Sequence, residues 1–299
     1  MQKIKNNLLV ILGPTASGKT DLSIKLAKKF NGEVVSADSR QVYKGMDIGS
    51  GKVTRKETKG ICHWLLDVAN PKRKFTVSQY QKLASLAIKN IQKRGKLPIL
   101  VGGTGFYIQS IVDGILVPEV KPNWKLRKIL EKKSNEELYK ILSKKDPERA
   151  HKIDKNNPRR LIRALEIILT TKKPVPKLNS SKPQFNILQL GITKEKNELS
   201  KNIETRLQKR LKNNSMINEV KKLRSLRLSF KRLEEFGLEY KFVAQYLQKK
   251  ISKEEMIKKI QKESEHFAKR QMTWFKRDKR IQWIKNQKQA EYLIKKLPD

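Results

Sequence analysis

The sequence predicts an α/β protein: a parallel sheet flanked by helices, with an all-helical insertion domain and a helical C-terminal region. Three observations carry this expectation. Short apolar runs alternate with helical patterns over the first 120 residues, the pattern turns to helices without strands from about Lys121, and the apolar run Phe185–Ile192 reads as a strand returning to the sheet. The expected division is 1–120 for the α/β core, 121–182 for the insertion, and 183–299 for the return strand and C-terminal helices.

The elements follow in order. Leu8–Leu12 is an apolar strand leading into a glycine-rich turn and a helix from about Gly18 to Phe30, which Asn31-Gly32 ends in a left-handed cap. Glu33–Ala37 is the next strand, and His63–Asp67 reads mostly as a buried strand in which His63 is structural. Thr76 with Gln79 forms a capping box, and the helix it opens places Tyr80, Leu83, Ala84, Ala87 and Ile91 on one face before Gly95 stops it. Strand Leu97–Val101 follows. In the insertion, Asn157 is an N-cap before Pro158 at the first helical position, and Leu161, Leu165 and Ile168 form the buried stripe. The breakers Lys173–Pro176 and Pro183 close the insertion, and Ser252 with Glu255 caps a helix in the last third.

Composition narrows the function classes. With 69 Lys+Arg against 29 Asp+Glu, the formal charge of the 299 residues is +40, spread along the chain and densest in the insertion. Such a field attracts polyanions, RNA or DNA foremost. A lysine-biased composition is the alternative source of the charge. The single cysteine excludes a disulfide framework and a four-cysteine metal site, and three scattered histidines form no ligand cluster. No apolar run approaches the length of a membrane span, so the expectation is a cytoplasmic protein without a membrane partner.

The strongest motif is Gly13-Pro14-Thr15-Ala16-Ser17-Gly18-Lys19-Thr20, a G-x-x-x-x-G-K-T phosphate loop between a strand and a helix. It predicts a P-loop NTPase-like core. Backbone amides, the helix N-terminus and Lys19 supply positive charge to a diphosphate or triphosphate, and the Thr20 hydroxyl can ligate Mg²⁺. The later strand ends in Gly102-Gly103-Thr104-Gly105 instead of an acidic residue, which weakens a hydrolytic-motor reading. Asp38 follows the second strand, at the sheet edge where open α/β folds bind ligands; it is either a general base or a turn cap. Arg159, Arg160 and Arg163 lie off the apolar stripe as a basic face, and Phe267 to Arg277 interleaves aromatics with cations in a manner suited to RNA or to core packing.

Together GPTASGKT (13–20), DSRQVYKGMDIGSGK (38–52), VGGTGFY (101–107), NPRRLIRALE (157–166) and AKRQMTWFK (268–276) closely resemble the tRNA isopentenyltransferase family, nearly end to end. The resemblance implies transfer of a dimethylallyl group from dimethylallyl diphosphate to the exocyclic amine of the adenosine 3′ of the anticodon. It implies Asp38 as base, Thr104 bonding near the donor or amine, and Lys19, the loop amides, Mg²⁺ on Thr20 and Arg206 at the leaving diphosphate. It further implies a tRNA anticodon stem-loop touching Asp38, Ser39, Arg40, Gln41, Thr104, Arg127, Arg159, Arg160, Arg163, Lys269, Arg270, Gln271, Trp274 and Lys276. The expected state is a monomer. The sequence departs from the family pattern at Ser50, at Gln208 and Ser215-Met216, and at Glu234-Glu235, where acids stand near an expected arginine. The runner-up is a P-loop small-molecule or nucleoside kinase, and a third reading is an RNA-stimulated NTPase or RNA-binding protein.

Overall fold

The computed structural model describes residues 6–115, 120, 122–176 and 185–297. In chain order its elements are β1 (Asn7–Leu12), α1 (Lys19–Lys29), β2 (Gly32–Ala37), β3 (His63–Trp64), α2 (Val77–Lys93), β4 (Leu97–Gly102) and α3 (Gly105–Val112). Then come α4 (Trp124–Leu130), α5 (Asn135–Lys145), α6 (Pro147–Lys152), α7 (Pro158–Thr171), β5 (Asn186–Ile192), α8 (Lys196–Leu211) and α9 (Ser215–Ser225). The chain finishes with α10 (Phe230–Phe236), α11 (Leu238–Leu247), α12 (Lys253–Phe275), β6 (Gln282–Ile284) and α13 (Gln287–Lys295).

The chain divides into two units, one of residues Met1–Gly114 with Lys182–Asp299 and one of Ile115–Ser181. The residues 121 and 182–183 at which the sequence pattern changes lie outside the described residues.

In the first unit six strands form one sheet in the order β3-β2-β4-β1-β5-β6, every neighbouring pair parallel. A parallel sheet buries both faces, which is why β1 and β4 read as unbroken apolar runs. Leu8, Val10 and Leu12 face a core shared with α2, α3 and the helices α9 to α12, whereas Leu9 and Ile11 face one shared with α1 and α13. The register sets the site. Leu12 pairs with Gly102 and Ala37 also pairs with Gly102, so the segments leaving β1, β2 and β4 emerge at one edge. That brings Gly13, Asp38 and Gly103-Thr104 together across sequence separations that no local pattern reveals.

Several sequence expectations change in detail. The edge strand is two residues, not five, because Leu65 and Asp67 take positive φ and turn the chain out of the ladder. Leu83 is 37% exposed, and Ile88 fills the buried face of α2 instead. The last third is not wholly helical, since β6 pairs with β5 through Leu190–Gln282, Gly191–Trp283 and Ile192–Ile284. The capping boxes at Thr76 and Ser252 form as expected.

The second unit is all helical among its described residues. Leu130, Leu138, Leu142, Leu161, Leu165 and Ile168 make its core. Asn157 caps α7 by accepting from the Arg160 amide, with Pro158 at the first helical position. Glu166 is fully buried, yet it accepts from the Asn123 amide and from Arg127 and Arg163. Burial pushes its carboxyl up, but the guanidiniums of Arg127 and Arg163 outweigh this and leave it below its ordinary value.

Candidate active site

Gly13 leaves β1 at φ +151°, where a Cβ would stand 2.3 Å from the Ile192 carbonyl oxygen. Glycine is therefore required for the loop to run so close to β5. Ala16 and Gly18 also take positive φ, and Lys19 opens α1. The Lys19 ammonium folds back to donate to the Pro14 carbonyl, and the buried Ser17 hydroxyl has no partner. Burial, with Arg206 nearby, pushes Lys19 down to about 7, partly opposed by Asp38. An amine so disfavoured as a cation is poised to gain from an anion.

Lys19, Thr20, Asp38, Ser50, Arg206 and Gln271 line one cavity. Arg206, from α8, donates to Thr15 Oγ1 at 3.4 Å and to the Gly51 carbonyl at 3.3 Å. Arg210, one turn later, donates to the Gly49 carbonyl at 3.1 Å and pairs with Glu239 at 2.7 Å. A Cβ on Gly51 would meet both guanidiniums at under 2 Å, 1.8 Å for Arg210 and 1.9 Å for Arg206, so glycine there lets two cations close on the loop. Burial and the Arg210 charge together lower Arg206 to about 10.

The loop bearing Gly49 and Gly51 is held from α9. Glu219 accepts from the amides of Asp47, Ile48 and Gly49 at 2.8, 2.6 and 3.0 Å, and from the Tyr240 hydroxyl at 2.9 Å. Lys52, 9% exposed, ties the same segment to Asp67 at 2.6 Å. Nothing local in the sequence marks Glu219 or Arg210 for these contacts, because helical acids and bases look like solvated faces.

Asp38 Oδ1 accepts from the amides of Arg40 at 2.7 Å and Gln41 at 3.3 Å, so Asp38 does cap its turn, while these bonds leave Oδ2 unused. Thr104 Oγ1 accepts from the Ser39 amide at 3.0 Å, fixing the two turns against each other. His63 also lines the cavity; its Nδ1 meets the Ile61 carbonyl at 2.9 Å, and burial pushes the imidazole down.

The residues expected at RNA separate into two groups. Arg159, Arg160, Lys269, Arg270 and Lys276 are exposed. The others are part-buried or buried, and several of them make contacts within the protein. Arg127 and Arg163 are spent on Glu166; Arg40 donates to the Phe236 carbonyl at 2.7 Å; and the Gln41 amide donates to Gly51 at 3.2 Å and accepts from Ser36 at 3.1 Å. Gln271 is buried between two backbone groups, and Trp274 packs where a Cβ on Gly105 would stand 2.3 Å away, edge-on to Phe106.

Comparison with known proteins gives the family. The family model for IPP transferase matches residues 41–278. The chain belongs to that family. It is 42% identical over 296 residues to the tRNA dimethylallyltransferase of Carboxydothermus hydrogenoformans, covering 96% of this chain and 94% of that protein. It is also 42% identical over 281 residues to the tRNA dimethylallyltransferase of Anoxybacillus flavithermus, covering 93% and 89%. The crystal structure of the tRNA isopentenylpyrophosphate transferase of Bacillus halodurans superposes with a TM-score of 0.71 at 36% identity, covering 97% of this chain and 94% of that one. A eukaryotic dimethylallyltransferase acting on tRNA gives 0.75 at 29% identity over 90% of this chain and 70% of that one. Membership of this family sets the kinase reading aside. Among the described residues, no helix is long and apolar enough to cross a membrane.

Proposed function

We propose that this protein transfers a dimethylallyl group from dimethylallyl diphosphate to the exocyclic amine of the adenosine 3′ of the anticodon in tRNA, releasing diphosphate. The observation that carries the reading is one cavity lined at once by the Asp38 carboxylate and by Lys19 and Arg206. The exocyclic nitrogen attacks the allylic carbon, the carbon–oxygen bond to diphosphate breaks, and the nitrogen loses a proton to Asp38 Oδ2. Lys19, Arg206 and the loop amides stabilise the negative charge that grows on the leaving oxygen. The Ser17 hydroxyl, buried without a partner, supports an anion at this loop. Thr104 accepts from Ser39 and keeps its own O–H proton for the donor or the amine.

No group of three His, Cys, Asp or Glu among the described residues forms a ready-made metal site. The residues fit Mg²⁺ delivered with the diphosphate, since that ion keeps several waters and takes few protein ligands. Thr20, which follows Lys19 in the first turn of α1 and lines the same cavity, would hold it. When bound it adds positive charge beside the leaving oxygens.

The target base leaves the anticodon-loop stack, at a cost of a few kcal/mol, about what an unpaired loop tolerates. Lys269, Arg270 and Lys276, with Arg159 and Arg160, offer exposed cations for its phosphates.

The test is incubation of the protein with dimethylallyl diphosphate, Mg²⁺ and tRNA, followed by mass spectrometry of the nucleosides. N6-dimethylallyladenosine is expected at a single position. Phosphate transfer from ATP to a nucleoside, with no prenylated adenosine, would overturn the reading.

A further inference from the structure

Thr15 lies in the phosphate loop after β1, and Gly103 lies in the turn after β4, the neighbouring strand. A single side chain ties them. The Thr15 amide donates to Gln271 Oε1 at 2.8 Å, and Gln271 Nε2 donates to the Gly103 carbonyl at 2.9 Å. Gln271 sits in α12 and is 6% exposed. A Cβ on Gly103 would stand 2.2 Å from Nε2, so the approach depends on glycine. A carboxamide accepts at one atom and donates at the next, and these two backbone partners fix which way it points.

The bridge extends at both ends. Thr15 Oγ1 accepts from Arg206, and Thr104, next to Gly103, accepts from the amide of Ser39, next to Asp38. A series of hydrogen bonds and adjacent residues thus runs from the cation at the diphosphate end to the turn that carries the carboxylate. It passes through a helix whose exposed side presents Lys269 and Arg270.

We propose that Gln271 is a positioning residue that couples the two substrate sites. Ordering of the phosphate loop around diphosphate and seating of tRNA against α12 each hold this amide in the arrangement that the other requires. The proposal rests on the reading of the pocket given above. Thermodynamic linkage makes such coupling reciprocal: diphosphate tightens RNA by the factor with which RNA tightens diphosphate.

The experiment measures affinity for a fluorescent anticodon stem-loop with and without saturating inorganic diphosphate and Mg²⁺, in the native protein, Gln271→Met and Gln271→Glu. Methionine keeps the length and packing but removes both hydrogen bonds. Glutamate keeps the acceptor for Thr15 and sets a carboxylate against the Gly103 carbonyl, so it carries the test if the methionine variant does not fold. Diphosphate is expected to tighten RNA binding about 5-fold or more in the native protein, and less than about 2-fold in the variants. A purely structural role would weaken both affinities and leave their ratio intact, and that result overturns the proposal. So does a native protein that binds both ligands independently. A native protein that binds neither diphosphate nor stem-loop instead removes the reading of the pocket itself.

Discussion

Asp38 Oδ1 accepts the Arg40 amide at 2.7 Å, so one oxygen of this carboxylate builds the turn while the other remains for the proton transfer proposed above. Asparagine keeps the first task and loses the second. Asp38→Asn is expected to lower single-turnover prenyl transfer by about 10²–10⁴. Its thermal midpoint should stay within about 2 °C of the native value, since the side-chain carbonyl still caps the turn. Rapid-quench kinetics and a melting curve check the pair of outcomes.

Lys19 tests the diphosphate end. The free protein holds it down to about 7, so at pH 8 it is mostly neutral, and an incoming anion restores the charge by raising its pKa. Diphosphate binding at pH 8 should therefore take up more protons, by about one, in the native protein than in Lys19→Met. Calorimetry in buffers of different ionisation enthalpy reads the difference. The same substitution should slow prenyl transfer by about 10²–10³.

Glu33 gives a pH signature of stability. It accepts from Arg94 at 2.7 Å, Lys96 at 2.8 Å and the Trp64 indole at 2.8 Å, and the Arg94 bonds hold it down to about 2 against the opposing effect of burial. Its contribution is complete above the unfolded carboxyl range near 4.5 and is lost as pH falls through about 2. Glu33→Gln should cost about 1–3 kcal/mol in urea unfolding at pH 7, the cations being part-exposed, and the gap should close toward pH 2.

Glu166 plays the corresponding part in the helical unit. Glu166→Gln leaves Arg127 and Arg163 facing a neutral amide and is expected to destabilise this unit by about 3 kcal/mol. Hydrogen exchange on the whole chain should show the loss in residues 122–176, with the sheet strands unchanged.

Salt dependence reads the exposed cations. Log affinity for tRNA should fall linearly with log salt, and replacing Lys269 and Arg270 together by glutamine should flatten the slope by about 1–2. A slope unchanged by the replacement would remove α12 from the RNA surface.

How far the sequence spoke depended on whether the chemistry was local. The turn from Gly13 to Thr20 was legible because strand, glycines, lysine and helix follow one another without interruption. Asp38 and Thr104 were legible as strand ends, and the parallel register then aligned them. Glu219 was not, because its four partners lie at Asp47 to Gly49 and Tyr240, and nothing in α9 marks that carboxylate as an acceptor for a distant loop. Gln271 and Arg127 matched the family pattern while their contacts stayed hidden: exposure is a property of packing, and a polar side chain carries the same letter whether water or a backbone carbonyl satisfies it. Strand β6 escaped for a related reason, since three residues are too few for a period to show.

The hydrogen bond from Thr15 to Gln271 spans 256 positions, and that from Arg206 to Thr15 spans 191. A nascent chain emerging from the ribosome therefore possesses its glycine turn long before α8 and α12 supply the rest of the pocket. Until those two helices arrive, the turn lacks the arginine and the amide that shape it.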